Sequence, residues 1–199
     1  MKTILTIIFC SFFFIHALTA EEVEKNLSDA RSAYNSGDLE GARFALQQAM
    51  YELDLAIGRE ILKLLPDRMG ALLFNESDDE VGSANLGFVG LHLSRNYSND
   101  QDQRAELQII ADSPLLAGIN AILAMPVIGR DPNQKRIRVD GYRGLLQRSE
   151  SSDGNISWDM QIPFGSSLLS VSFKDIAEEN TIMDMANTIP IQQIARLIQ

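Results

Sequence analysis

The side chains that most often carry out covalent chemistry are scarce in this sequence. Cys10 is the one cysteine, and His16 and His92 are the two histidines. Thiolate and imidazole are the usual ligands of structural zinc and the usual nucleophile and base of hydrolases. The first 20 residues have the pattern of a signal peptide. If they are removed, His92 is the one residue left among the cysteine and the histidines. The sequence therefore predicts neither a zinc site nor a cysteine or serine hydrolase.

Carboxylates and glycines are plentiful, but their spacing matches no catalytic motif. Gly87 and Gly90 lack the spacing of a G-x-G-x-x-G or Walker loop. Glycoside hydrolysis needs a carboxylate pair in a setting that raises the pKa of one member, and the Asp and Glu residues here fall in polar stretches. We predict no catalytic, cofactor-binding or metal-binding residues and therefore no enzyme, and keep a carboxylate-dependent hydrolase as the second alternative.

Two groups of residues are candidates for binding. The segment from Pro114 to Met125 is apolar on most sides, which predicts a buried central helix or the wall of a groove for an acyl chain or a partner protein. The second group consists of basic residues, among them Arg136, Arg138 and Arg143. They predict either a patch that binds an anionic headgroup or a partner's carboxylates, or a set of ion pairs with acidic neighbours of the same chain. Arg136 and Arg138 are expected to share one strand face with Asp140. The candidates are Leu116, Ile119, Leu123, Arg136, Arg138 and Arg143.

The first 20 residues have the pattern of a secretory signal peptide. Lys2 is followed by an apolar run from Ile4 to Ile15 and by small residues that end at Ala20. The run is shorter than a membrane span, and acidic residues follow it directly. We therefore predict cleavage after Ala20, no transmembrane span in the remaining chain, and a periplasmic or secreted location.

Charge limits the choice of partners. The chain has 27 acidic and 17 basic residues and a net charge of -10, which becomes -11 when Lys2 leaves with the signal peptide. An acidic surface is repelled by nucleic acid and by anionic membranes. The expected partner is another envelope protein or a lipid, and no cofactor is predicted.

Helical periodicity marks residues 21–66. Apolar residues recur at helical spacing from Val23 to Tyr34 and again from Leu39 to Leu64. Asp38 is placed to cap the second helix, and Pro66 follows its end. These residues predict an αα-hairpin.

Residues 25–53 resemble a single unit of the tetratricopeptide family. The resemblance is carried by small residues and a Tyr in the first helix, Gly-Asp at the turn and alanines in the second helix: Ala30, Ala33, Tyr34, Gly37, Asp38, Leu39, Ala42, Leu46 and Ala49. No second copy follows, whereas stacked repeats need about three units to bury their faces. The interpretation is a single tight hairpin and not a peptide-binding superhelix.

The remaining chain changes from a helical to an alternating pattern. Residues 67–86 are polar and acidic and predict a loop or linker. Residues 87–199 predict an antiparallel α+β domain, because several segments alternate between apolar and polar residues and two short amphipathic helices close the chain. In a segment that starts at Val89, the residues Val89, Leu91 and Leu93 share one face, and in a later segment Trp158, Met160 and Ile162 face inward. The predicted fold is α+β, an N-terminal αα-hairpin followed by an antiparallel sheet with packed helices, in the order ααββαββββαα.

Two segments of residues 87–199 resemble an uncharacterised family of secreted bacterial proteins, a domain of unknown function. They are Ala111-Asp112-Ser113-Pro114-Leu115-Leu116 and Val139-Asp140-Gly141-Tyr142-Arg143-Gly144-Leu145-Leu146. The resemblance implies export and no particular activity. The resulting hypothesis is a non-enzymatic exported protein that acts by binding or protein interaction. The first alternative is a carrier of a lipid or another apolar ligand, held between the sheet and the helix from Leu115 to Met125.

Overall fold

The computed structural model describes residues 4–83, 90–125 and 133–198. The chain divides into two units, residues 1–56 and 57–199, and the boundary falls within the second helix. Helices combine with an antiparallel sheet, so the predicted α+β class is confirmed.

The N-terminal unit is a helical hairpin. Helix α1 spans Ile4–Ser36, and helix α2 spans Leu39–Leu64 and so continues beyond the unit. Gly37 turns the chain with a φ of 84°, a left-handed conformation that glycine adopts without steric cost. Asp38 caps α2, because its Oδ1 accepts a hydrogen bond of 2.9 Å from the backbone N of Gly41. The predicted hairpin, its turn and the bounds of α2 are confirmed.

In the described ranges of the second unit, nine strands form an antiparallel sheet that packs with the remaining helices. The strands are β1 Arg68–Met69, β2 Leu72–Phe74, β3 Glu80–Ser83, β4 Leu91–Ser98, β5 Arg104–Ile110, β6 Gln134–Val139, β7 Tyr142–Glu150, β8 Ile156–Phe164 and β9 Ser167–Lys174. The helices are α3 Leu116–Ala124, α4 Glu179–Ala186 and α5 Ile191–Ile198. The order across the sheet is β1-β2-β4-β5-β9-β8-β7-β6, and β3 also pairs with β4.

One face of the sheet is buried and the other is open. In β8 the side chains of Trp158, Met160 and Ile162 are buried as predicted, and Asp159 between them is exposed. The buried face packs with α4, α5 and the last turns of α2 in one apolar cluster. The helices contribute Ile61, Ile182, Met185, Ile191 and Ile194 to this cluster.

Residues 67–86, for which the sequence predicts a loop or linker, contain three short strands. Strands β1, β2 and β3 have two to four residues each, too few to show alternation. They form because they pair with neighbours, as Phe74 does with Tyr97 and Val81 with Leu93. The loop prediction is therefore wrong for most of residues 68–83, since pairing outweighs the weak local preference. The predicted strand start at Val89 lies outside the described residues, and β4 begins at Leu91.

Candidate interaction surfaces

Within residues 20–56 of the hairpin, the side chains that are buried all belong to alanines. Ala30 of α1 and Ala42, Ala45 and Ala49 of α2 are buried. An alanine side chain ends at Cβ, so helices that meet through alanines approach closely. These four alanines form the alanine seam of the hairpin.

Large apolar side chains lie beside this alanine seam and remain exposed. On α2 they are Leu39, Leu46, Met50 and Leu53, which fall within about 60° of arc at roughly 100° per residue. Between 49% and 67% of each residue is exposed, and Leu27 on α1 is 50% exposed. The apolar stripe that periodicity predicts along α2 is therefore split within the hairpin, because the alanines are buried and the larger residues are not.

The two helices border a groove of about 740 Å³. Val23 and Leu27 of α1 and Leu53 and Ala56 of α2 form its apolar part. The described residues that line it are Ala20, the last residue of the predicted signal peptide, and Val23, Glu24, Leu27, Ser28, Arg31, Leu53 and Ala56. Exposed apolar patches of this kind in soluble domains mark surfaces where a partner or ligand binds.

Helix α3 lies on the otherwise polar face of the sheet. Ile119 is buried against Leu145 of β7 and Leu168 of β9, and the predicted site residues Leu116 and Leu123 pack beside it, partly buried. Direct contact fills the space between helix and sheet at this point, which favours the core interpretation for this side of α3. The exposed side of the helix and its ends carry Leu115, Ile122 and Met125.

The predicted basic residues lie on β6 and β7, and one of them, Arg136, contacts α3. Arg138 and Arg143 are directly opposite each other on β6 and β7, and both are exposed. The Nη2 of Arg136 donates to the carbonyl of Ile122 at 3.1 Å and to that of Met125. These carbonyls lie at the C-terminal end of α3, where a cation is favourable because the helix dipole is negative there and the last carbonyls lack the regular donor four residues on. The structure thus brings the three arginines together and uses Arg136 to cap α3.

Asp140 does not share the strand face of these arginines. Strand β6 ends at Val139, and Asp140 has a φ of 46°. Its carboxylate accepts hydrogen bonds from the backbone N of Gln192 at 2.7 Å and from the Nε2 of the same residue at 2.9 Å. The predicted shared face with Arg136 and Arg138 is wrong, because the turn after β6 directs Asp140 to the first turn of α5.

A buried ion pair that the sequence analysis did not identify joins β4 to the residues before β3. Arg95 donates to both carboxylate oxygens of Asp79, from Nε at 2.9 Å and from Nη2 at 2.5 Å. Its Nη1 donates to the carbonyl of Leu65 at 3.3 Å, directly after α2, and its guanidinium lies 4.4 Å from the centre of the Phe74 ring. One signal was present in the sequence. Arg95 occupies an inward position of β4, where a charge requires a partner.

Arg95 and Tyr97 keep their protons over the physiological range. Burial lowers the pKa of Arg95, but the hydrogen bond and the charge of Asp79 oppose it, and the net direction is upward. Burial raises the pKa of Tyr97 to about 12. The Tyr97 hydroxyl donates to the carbonyl of Pro66 at 2.9 Å. A permanent guanidinium and a permanent phenol make this a structural cluster and not an acid–base pair.

The open face of the sheet carries carboxamides, hydroxyls and carboxylates. A trough of about 330 Å³ on this face is lined by Glu106, Gln108 and Asp159 among others. His92 lies half-buried on the same face, opposite Ile110. In the part of the chain that the structure describes, no group of three or more His, Cys, Asp or Glu residues is placed to hold a metal ion.

The comparisons with known proteins leave the identity of the chain open. Among the helices of the described ranges, none combines the length and the apolar character that crossing a membrane requires. No family model matches the chain, and no curated protein and no solved structure is detectably similar to it. Export, the tetratricopeptide resemblance and the resemblance to secreted bacterial proteins therefore stay predictions.

Proposed function

We propose that this chain is an exported, non-enzymatic protein of the bacterial periplasm or exterior that acts by binding another protein through the groove of its helical hairpin. One observation carries the proposal. Four alanines of the hairpin are buried, whereas five larger apolar side chains are about half exposed or more, namely Leu27, Leu39, Leu46, Met50 and Leu53. A hairpin that is stable without a partner is expected to bury its leucines and expose its alanines. Burying a leucine stabilises the folded state by about 1.5–3 kcal/mol, and burying an alanine stabilises it by much less.

The shape of the apolar surface favours a protein partner over a small ligand. The stripe on α2 runs from Leu39 to Leu53, a length of roughly 21 Å at 1.5 Å per residue. Only two helices wall the groove, whereas pockets for small molecules usually enclose 70–90% of their ligand or more. A long, open strip of leucines at helical spacing suits the apolar face of another helix.

A carrier of a lipid or another apolar ligand is the second candidate. The groove volume of about 740 Å³ lies within the range of small-ligand pockets. The contact of Ile119 with Leu145 and Leu168 argues against the site between α3 and the sheet. The groove of the hairpin is thus the surface where either binding function is tested.

Site-specific photo-crosslinking in the native host tests the proposal. A photoreactive phenylalanine analogue is placed at Leu53 in the groove, and at Phe44 as the matched control. Phe44 is also exposed but lies roughly 150° around α2 from the stripe. We expect a crosslink from position 53 to one protein identified by mass spectrometry, and none from position 44. A crosslink to lipid supports the carrier, and equal or absent crosslinking at both positions contradicts a role for the groove.

A further inference from the structure

We infer that the partner in the groove is a second copy of this chain, so that two hairpins associate face to face as an antiparallel four-helix bundle. The inference rests on the proposed function, since it names the occupant of the same groove.

On α1, the groove residues of one copy are complementary to the same residues of a second copy that runs in the opposite direction. Glu24 and Arg31 both line the groove, one on each side of Leu27. They are seven residues apart and therefore on the same side of the helix. When a second α1 lies against the first in the opposite direction, Glu24 of each copy meets Arg31 of the other, and the two copies of Leu27 meet near the centre.

On α2, the last three residues of the apolar stripe have the same property. Leu46 and Leu53 flank Met50 at nearly equal distances, and all three are about half exposed or more. Reversal of a second α2 brings Leu46 of each copy against Leu53 of the other, with the two methionines near the centre. Methionine suits this position because its flexible side chain fills irregular space.

Leu27 and Met50, the central residues of the two antiparallel contacts, lie at a similar height in the hairpin. Leu27 is roughly 14 Å before the end of α1 and Met50 roughly 17 Å after the start of α2, at 1.5 Å per residue. A single two-fold axis perpendicular to the helices therefore relates both pairs of helices at once. A partner with an unrelated sequence does not require this arrangement, whereas an isologous dimer does. The product is a four-helix bundle with large residues in its centre.

The test measures the oligomeric state of the full chain as its host processes it. Native mass spectrometry and sedimentation equilibrium are expected to show a dimer. The variants Glu24→Arg and Arg31→Glu each place like charges together at both symmetric contacts, so each alone is expected to raise the dissociation constant roughly tenfold. Mixing the two variants restores both attractive contacts, and heterodimers are expected to dominate the mixture.

Lys25→Glu is the matched control for Arg31→Glu. It makes the same charge change on an exposed residue of α1 that does not line the groove, and it is expected to leave the dimer unchanged. Circular dichroism of each variant verifies that the helices are retained. A monomeric wild-type protein up to roughly 100 µM overturns the inference, as do single variants that dimerise like the wild type or a mixture without preferred heterodimers.

The two proposals fail separately. If position 53 crosslinks to a different protein while the chain is monomeric, the proposed function holds and the second copy is the wrong occupant. If position 53 crosslinks to the chain itself, both hold. If the chain is monomeric and position 53 crosslinks to nothing, both are wrong.

Discussion

The helical hairpin and the sheet unit place their large apolar side chains in opposite positions. In the sheet unit, residues such as Leu107, Met160 and Phe173 are fully buried, and the exposed face of the sheet is polar. In the hairpin, the four alanines of the seam are buried, and leucines such as Leu46 and Leu53 are half exposed. The same residue type is thus a core residue in one unit and a surface residue in the other.

This difference separates folding from binding. The sheet unit covers its apolar face with its own helices, so its large side chains stabilise the fold directly. The hairpin closes on a seam of small residues and leaves its large side chains for something else to cover. Stability and association should therefore respond to different residues in the two units.

The largest effect is expected from the buried ion pair, which belongs to the sheet unit. Asp79→Ala leaves the guanidinium of Arg95 buried without its carboxylate, and breaking such a pair costs about 3–5 kcal/mol in the free energy of unfolding. The control is Glu150→Ala. It removes the 2.9 Å ion pair between Arg148 and Glu150, whose side chains are 32% and 53% exposed. The expected loss in the free energy of unfolding is no more than about 1 kcal/mol. Urea unfolding of both variants measures the difference, and equal costs contradict the assignment of Arg95 and Asp79 as a structural pair.

The comparison itself is tested by one substitution made in both units. Leu107→Ala removes a fully buried side chain and is expected to cost about 2–5 kcal/mol. Leu46→Ala removes a side chain that is 49% exposed and is expected to cost less than about 1 kcal/mol. Both are measured by urea unfolding at a concentration low enough to keep the chain monomeric. A cost for Leu46→Ala as large as that for Leu107→Ala shows that the hairpin depends on its stripe for folding.

The sequence predicts what is periodic and local in this fold. Alternation in β8 identified Trp158, Met160 and Ile162 as inward residues, and Asp38 was recognised as a cap, because each signal lies within a few neighbouring residues. The short strands β1 to β3 could not be predicted, because two to four residues have no period and depend on pairing with distant residues.

The candidate surfaces required contact information that periodicity lacks. A helical pattern shows that Leu46 and Ala49 share one side of α2 but does not show which of them meets α1. The inward position of Arg95 is visible in the sequence, but its partner is not, because the acidic stretch before β3 offers several carboxylates and only the fold selects Asp79. The turn that carries Asp140 away from Arg136 and Arg138 is also a tertiary feature.

The smallest expected effect is on the pH dependence of stability, and it is tested with one tyrosine from each unit. The pKa of Tyr97 is about 12 in the folded chain, against 10.0 for an ordinary tyrosine. At a pH between these two pKa values, Tyr97 has lost its proton in the unfolded chain but keeps it in the folded chain. The free energy of unfolding therefore falls as pH rises. The contribution is complete below pH 10 and is lost as pH rises through 12, and two pKa units correspond to about 2–3 kcal/mol.

Tyr97→Phe is therefore expected to flatten the alkaline part of the stability profile. At neutral pH the variant loses the hydrogen bond to the Pro66 carbonyl, which costs about 1 kcal/mol. Tyr34→Phe is the matched control, because it removes one phenol from a residue of the hairpin that is 68% exposed. Urea unfolding from pH 9 to 12 measures the profiles. If Tyr97→Phe and the wild type lose stability in parallel over this range, the titration of Tyr97 is not the cause, and the cluster around Arg95 contributes through its charge pair alone.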